Sequence, residues 1–209
     1  MRYSGLPSAM WILLKKHFCA SLVTVMGYDE RTARLTAEKA KPVYKSIIDK
    51  LPEFEKGDRF VTNIVNCAML ISFVKSMTDR PDVEKLTAFY DKAMRNGAVK
   101  AFCRMGGKSK FTDKGIASVK AGAALKAADR NPYSWNMEYI PYDDGSGYEA
   151  RFTRCGICTL MKEYGCFDLV PAMCHLDYTM TELGGACRFV REHTLADGSP
   201  YCDNGYKRL

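Results

Sequence analysis

The side chains with the greatest chemical capacity are concentrated between Arg151 and Asp203. This stretch holds two of the three histidines, the run from Cys174 to Asp177, and six of the nine cysteines, namely Cys155, Cys158, Cys166, Cys174, Cys187 and Cys202. Cysteine, histidine and aspartate supply nucleophiles, proton carriers and metal ligands, so we expect a functional site here. The competing interpretation is that each free cysteine is a small buried apolar residue.

The run from Cys174 to Asp177 falls in a predicted helix. There, Cys174 and Asp177 are three residues apart and share a face, while His175 points about 100° away from Cys174. A thiol–imidazole pair between these neighbours is therefore not expected. Asp177 is better placed to accept a proton or to bind an amidine or ammonium group. Arg151 and Arg191, on predicted strands, are candidates for binding a substrate carboxylate.

Cys155 and Cys158 have the C-x-x-C spacing of a redox pair or of half a zinc site. A zinc site would need more ligands from elsewhere, and the candidate set is Cys155, Cys158, Cys174 and Cys202. No second C-x-x-C pair is present in the sequence. We therefore expect no cofactor, with zinc as the alternative.

Helices dominate the first part of the chain. Apolar residues at three- and four-residue steps predict helices over Pro7–Val25, from Asp29 towards Ile48, and over Phe60–Val74. Pro42 is expected to kink or break the second of these. The Phe60–Val74 helix is apolar on nearly every side, which indicates a central position among other helices.

Two further helices are predicted before the chain changes character. One begins within Asp79–Asp82, with Pro81 in its first turn, and reaches about Phe102, with Gly106-Gly107 as its stop. The other covers Ala117–Ala128 and ends before Asn131-Pro132.

From residue 132 onward, segments in which apolar residues recur at every second position alternate with segments that have the periodicity of a helix. It predicts a β-hairpin from Trp135 to Phe152, two helices, and a second hairpin from Cys187 to Tyr206. The two helices are expected over Gly156–Tyr164 and Leu169–Leu183. We therefore predict one α+β domain over residues 1–209, in which a mainly helical part (1–131) packs on a four-stranded antiparallel sheet with the order β-β-α-α-β-β (132–209).

Composition narrows the class of protein. With 209 residues the chain can bury a large core, and nine cysteines, an odd number, argue against a disulfide scaffold. Neither a signal peptide nor a membrane span is predicted, so we expect a cytoplasmic protein with no membrane partner.

The net charge of +7 comes from residues 92–130. This basic segment is expected to be a solvated helical face, with no nucleic-acid partner. A small-molecule substrate is expected, and homo-oligomerisation stays open.

Several short motifs together resemble a known family. They are RFTRC (Arg151–Cys155), Gly165, Cys174-x-x-Asp177, Arg191-x-x-Thr-Leu-Ala-x-Gly198 and Cys202-Asp203. This pattern, which covers the last third of the chain, resembles the L-2-amino-thiazoline-4-carboxylic acid hydrolase family. The resemblance implies hydrolysis of a C–N bond in a small cyclic amidine that carries a carboxylate, a step towards cysteine.

The resemblance also suggests roles for individual residues. Its matched positions are Cys155, Cys174, Asp177, Cys202 and Asp203. We expect Cys174, Asp177 and Cys155 to be catalytic, and Arg151, Arg191, Cys202 and Asp203 to bind substrate. Two mechanisms stay open: a thiolate of Cys174 or Cys155 attacks the amidine carbon, or Asp177 activates a water molecule.

A fainter likeness supports a different class of function. The run Gly198-Ser-Pro-Tyr-Cys202 is similar to the end of small-ligand-sensing domains of the vinyl-reductase type. The alternative function is therefore a non-catalytic domain that senses a small ligand or a metal. Under either function, we predict that Cys155, Cys174, Asp177 and Cys202 border one pocket, with Arg151 or Arg191 at its mouth.

Overall fold

A computed structural model describes residues 1–127 and 129–209 of the chain. The helices are α1 (Leu6–Thr24), α2 (Glu30–Lys50), α3 (Val61–Val74), α4 (Val83–Met94), α5 (Gly97–Ser109), α6 (Asp113–Ala127), α7 (Gly156–Glu163) and α8 (Val170–Gly184), with a short 3-10 turn at Phe167–Leu169. The strands are β1 (Glu138–Pro141), β2 (Gly147–Phe152), β3 (Cys187–Val190) and β4 (Cys202–Arg208). The predicted α+β class and the order β-β-α-α-β-β are confirmed.

The chain forms two compact units. The helical unit comprises Met1–Asn96 and Ile157–Leu176, and the sheet unit comprises Gly97–Gly156 and Asp177–Leu209. Within the described residues, no helix has both the length and the apolar character needed to cross a membrane.

The core of the helical unit is built around α3. Every α3 residue from Ile64 to Val74 is buried, which confirms the central position predicted from its sequence. Aromatic rings fill the space beside it: Trp11 stacks on Tyr44 and on Phe73, with ring centroids 5.5 and 5.7 Å apart. Such ring pairs add to the free energy of burying apolar area.

Pro42 does not break α2, so of the two predicted alternatives, a kink or a break, the break is excluded. The helix runs without interruption from Glu30 to Lys50. Ala40 and Tyr44, on either side of the proline, are fully buried. Proline removes one backbone hydrogen bond, but the packing of the buried face on both sides holds the helix together.

The helix predicted to begin within Asp79–Asp82 and to reach Phe102 is instead two helices, α4 and α5. The break falls at Asn96, whose buried side-chain amide donates a hydrogen bond of 3.0 Å to the carbonyl oxygen of Ala93. Asparagine competes in this way with the helical hydrogen bonds of the backbone and ends helices. Gly106 and Gly107, the predicted stop, lie inside α5.

Helix α6 begins four residues earlier than predicted, at Asp113 rather than Ala117. Thr112 accounts for this start, because its hydroxyl accepts a hydrogen bond of 3.1 Å from the backbone N–H of Gly115. A threonine in this position satisfies an N–H that has no partner inside the helix. The predicted end at Ala128 lies outside the described residues.

The four strands form one antiparallel sheet in the order β1-β2-β4-β3. Directly paired residues share a face. The inner face, defined by the buried residues of β2, carries a ladder of four rings, namely Tyr139, Tyr148, Tyr206 and Phe189. Adjacent centroids along the ladder are 5.2, 5.4 and 5.4 Å apart. The outer face carries Glu149 and Arg151.

Helix α5 approaches the end of α8 very closely within the sheet unit. A Cβ atom placed on Gly107 would lie 3.0 Å from the Cβ of Ala186 and 3.2 Å from the carbonyl oxygen of Gly184. For the neighbouring Gly106, no described atom lies within 4 Å of such a Cβ. Only a residue without a side chain fits at Gly107 without displacing the α8 backbone.

This contact predicts opposite outcomes for two adjacent substitutions. Gly106→Ala should raise the free energy of unfolding by about 0.5 to 1 kcal/mol, because alanine is the better helix former at an open position. Gly107→Ala should lose this gain or destabilise the protein, since the added methyl group meets backbone. Urea unfolding of both variants checks the difference. Equal stabilisation by both alanines would contradict the close approach of α5 and α8.

Candidate functional site

An ion pair lies at the centre of the candidate site in the sheet unit. Arg191, just after β3, donates from Nη1 to Oδ2 of Asp177, on α8, across 2.8 Å. The guanidinium also lies over the rings of Tyr178 and Phe189, 5.3 and 5.2 Å from their centroids. The Arg191 side chain is only 8% exposed, so the ion pair and the two rings fix its position.

The pKa of the Asp177 carboxyl is raised above its usual value. Burial among surrounding atoms is the largest cause, while Arg191, Lys110 and a hydrogen bond from Asn204 lower the pKa and oppose it. The side chain nevertheless retains 41% exposure. Protein atoms therefore surround most of the Asp177 carboxylate, while part of it stays accessible to solvent. A raised pKa makes it a stronger base than an ordinary aspartate.

Cys202 lies beside this ion pair, at the start of β4. Its Sγ accepts a hydrogen bond of 3.2 Å from the backbone N–H of Leu195. Burial raises the pKa of the Cys202 thiol to about 11, and the nearby Cys155 and Asp177 contribute in the same direction. The thiol is therefore protonated at neutral pH. Cys155, Asp177 and Arg191 each lie close enough to Cys202, within the sheet unit, to affect its pKa.

Two residues of β4 that the sequence analysis missed also face this site. Asn204 and Tyr206 follow Cys202 at two-residue steps, so all three lie on the inner face. Burial raises the pKa of Tyr206 well above its usual value, and the negative charge of Asp177 adds to this. The Oδ1 atom of Asn204 is buried and has no hydrogen-bond partner within the described part of the chain. The alternation starting at Cys202 is the signal that would have identified both residues.

Lys110 is a third residue that the sequence analysis did not assign to the site. It lies in the basic segment of residues 92–130, just after α5. Its Nζ is 3.5 Å from the centroid of the Tyr206 ring, and its charge lowers the pKa of Asp177. No motif in the sequence links Lys110 to Asp177, because the two are joined only through tertiary packing.

Arg151 and Asp203 lie on the outer face of the sheet, whereas Cys202 lies on the inner face. They are paired in register on β2 and β4. The Nε of Arg151 donates to Glu149 across 2.6 Å. The Asp203 carboxylate accepts hydrogen bonds from the backbone N–H groups of Glu192 and His193, the latter of 2.7 Å. The structure thus separates these two predicted substrate-binding residues from the inner-face site, and it gives Asp203 a role in holding the turn after β3.

Cys174 lies on α8 within the helical unit and is half-buried. The neighbouring His175 faces a different partner, since its Nε2 is 4.0 Å from Oδ1 of Asp91. Asp91 also accepts a hydrogen bond of 2.7 Å from Nε of Arg95.

The zinc alternative gains no support from the geometry. Across residues 1–127 and 129–209, no group of three or more histidine, cysteine, aspartate or glutamate side chains is arranged to hold a metal ion. Cys158, one of the predicted ligands, belongs to α7 of the helical unit, whereas Cys155 and Cys202 belong to the sheet unit.

The raised pKa of Cys202 predicts slow alkylation. Its pKa of about 11 leaves far less thiolate at pH 8 than an ordinary cysteine has. After allowance for the greater nucleophilicity of a more basic thiolate, iodoacetamide should modify native Cys202 more than about tenfold more slowly than the unfolded chain. The rate should keep rising with pH beyond 9. Mass spectrometry of the Cys202 peptide measures both rates, and equal rates in native and unfolded protein would contradict this environment.

Comparison with known proteins tests the family resemblance. A family model described as L-2-amino-thiazoline-4-carboxylic acid hydrolase matches residues 62–206. The match covers more than half of the chain, from α3 to β4, and includes Asp177, Arg191 and Cys202. Neither a curated protein nor a solved structure matches the sequence. The family match confirms the resemblance read from the motifs, and the chain belongs to the L-2-amino-thiazoline-4-carboxylic acid hydrolase family.

Proposed function

We propose that this protein hydrolyses a C–N bond of a small cyclic amidine carboxylic acid, such as 2-amino-thiazoline-4-carboxylate, towards cysteine. Family membership supports the class of substrate. The observation that carries the proposal is the Asp177–Arg191 ion pair, because it holds in place a partly exposed carboxylate whose pKa is raised by burial. An amidine presents N–H donors that a carboxylate can bind, and its central carbon is an electrophile.

Asp177 acts as the base in the proposed reaction. It takes a proton from a water molecule while the water oxygen bonds to the amidine carbon. The proton then passes to the ring nitrogen as the C–N bond breaks, which returns Asp177 to its carboxylate form. Arg191 keeps the carboxylate oriented and partly charged throughout.

The alternative nucleophile is a thiolate of Cys155 or Cys174. Cys202 does not take this role, because its thiol is protonated at neutral pH and a thiol is a far weaker nucleophile than a thiolate. Its neutral thiol lies close to Asp177. The raised pKa of Asp177 supports activation of water over direct attack by a thiolate.

Substitutions separate these two mechanisms. Asp177→Asn should lower kcat for 2-amino-thiazoline-4-carboxylate by about a hundredfold or more, because a general base typically contributes that much. Cys155→Ala and Cys174→Ala should each retain most of the activity. If Asp177→Asn retains its activity and one cysteine substitution abolishes it, the nucleophile is the thiolate of that cysteine and not water.

Asp168→Asn is the matched control for this experiment. Asp168 also forms an ion pair with an arginine, since its Oδ1 is 2.6 Å from Nη2 of Arg80, but it belongs to the helical unit and is 64% exposed. Its loss should leave kcat and KM unchanged. Thermal unfolding of each variant separates a loss of activity from a loss of folded protein.

The pH dependence of activity gives an independent prediction. Burial raises the pKa of Asp177, so the acid limb of kcat/KM should lie above the ordinary aspartate value of about 3.9. Arg191 lowers this pKa, so Arg191→Gln should move the limb to still higher pH, whereas Arg191→Lys retains the charge and should move it less. A limb that stays in place or moves to lower pH in Arg191→Gln would exclude Asp177 as the titrating base.

A further inference from the structure

We propose that helix α5 binds the surface of an anionic phospholipid bilayer, with Phe102 and Met105 entering the interface and a row of basic side chains meeting the headgroups. This inference goes beyond the proposed function and does not depend on it. The sequence alone predicted a solvated helical face in this basic segment and no membrane partner. The structure adds two large exposed apolar side chains to that face.

One side of α5 holds the helix against the rest of the sheet unit. Val99 is buried, the Cys103 thiol donates to Sδ of Met180 across 3.5 Å, and Gly107 lies against the end of α8. Val99, Cys103 and Gly107 are spaced by four residues, so they form one row along the helix. The opposite side of α5 is therefore turned outward, and its residues are exposed.

Two large apolar side chains lie on this outward side. Phe102 is 60% exposed and Met105, three residues later, is 67% exposed. Residues three apart are neighbours on a helix surface, so the two side chains form one patch. Gly106, one turn after Phe102, has no side chain that could cover it. Transfer of this patch from water into the apolar boundary of a bilayer would be favourable.

A row of basic side chains accompanies the patch. Lys100, Arg104 and Lys108 are spaced by four residues, so they lie in line over about 12 Å of the helix. All three are exposed, and α5 contains no acidic residue. Within the described part of the chain, no ion pair involves any of them. An apolar patch beside uncompensated positive charge is the combination that binds anionic membrane surfaces.

The composition of this surface favours a bilayer over a protein partner. Lysine is depleted at protein interfaces, whereas its long flexible side chain suits a layer of mobile headgroups. A specific protein interface buries about 800 Å² on each partner, which is more than Phe102 and Met105 can supply. In a two-fold dimer through α5, the basic row would meet its own copy, and like charges would oppose the contact.

Sedimentation of the intact protein with lipid vesicles tests the proposal. The vesicles contain either phosphatidylcholine alone or phosphatidylcholine with about one quarter phosphatidylglycerol, which is anionic. The wild type should bind the anionic vesicles at least about tenfold more tightly than the neutral ones, because each basic side chain near the surface contributes about fivefold. Added salt should weaken the binding, since it screens these charges.

Substitutions and matched controls locate the binding on α5. Lys100→Gln and Lys108→Gln should each weaken binding to the anionic vesicles by about fivefold, and Phe102→Ala by about tenfold through lost apolar burial. The controls are Lys39→Gln on α2 and Ile12→Ala on α1, whose side chains are exposed in the helical unit. Both controls should bind as the wild type does. Thermal unfolding verifies that all five variants are folded.

Several outcomes would overturn the proposal. One is a wild type that does not bind the anionic vesicles, or that binds both kinds equally, even if it binds a single-stranded oligonucleotide or an acidic protein instead. Another is full binding by Phe102→Ala, or a loss in the two control variants as large as that in the α5 variants. Hydrolysis of 2-amino-thiazoline-4-carboxylate in the absence of vesicles reports on the proposed function separately.

Discussion

The candidate site depends on holding a carboxylate where protein atoms crowd it. Desolvation disfavours a charged carboxylate, and the position is tenable because Arg191 donates to Asp177 across 2.8 Å. The arginine is in turn held by the faces of Tyr178 and Phe189. A planar guanidinium suits this arrangement, since it can stack on rings while its edge donates hydrogen bonds. Displacement of either ring would release the arginine and alter the basicity of Asp177.

The aromatic ladder connects this ion pair to the rest of the sheet unit. Its rings come from all four strands, so pairing of the strands is what places Phe189 next to Tyr206. The same face presents Cys202 and Asn204, because side chains alternate along β4. Polar groups on the other face serve local structure, as the bonds from the Asp203 carboxylate to the turn after β3 illustrate. The two faces of one sheet thus separate the groups of the candidate site from groups that serve local structure.

The cysteines of the chain have different environments. Cys67, Cys166 and Cys187 are buried, which agrees with the interpretation of a cysteine as a small apolar residue. Cys202 is half-buried with a raised pKa, and a protonated thiol is a poor nucleophile. The chemistry proposed for the site therefore rests on Asp177 and Arg191, with Cys155 and Cys174 as the thiols that remain to be tested.

Local patterns in the sequence were sufficient for the order of elements, the central α3 and the two hairpins, because side-chain periodicity and turn residues act over a few positions. They also singled out Asp177 and Arg191. They did not decide whether Pro42 breaks α2, which packing holds together, and they failed at Asn96, where one side-chain hydrogen bond ends α4. Only the tertiary structure placed Lys110 beside Tyr206 and assigned Arg151 to the outer face. The placement of Arg151 depends on strand register, and that of Lys110 depends on the packing of α5 against the end of α8. These are contacts between residues far apart in sequence, and a short-range pattern carries no information about them.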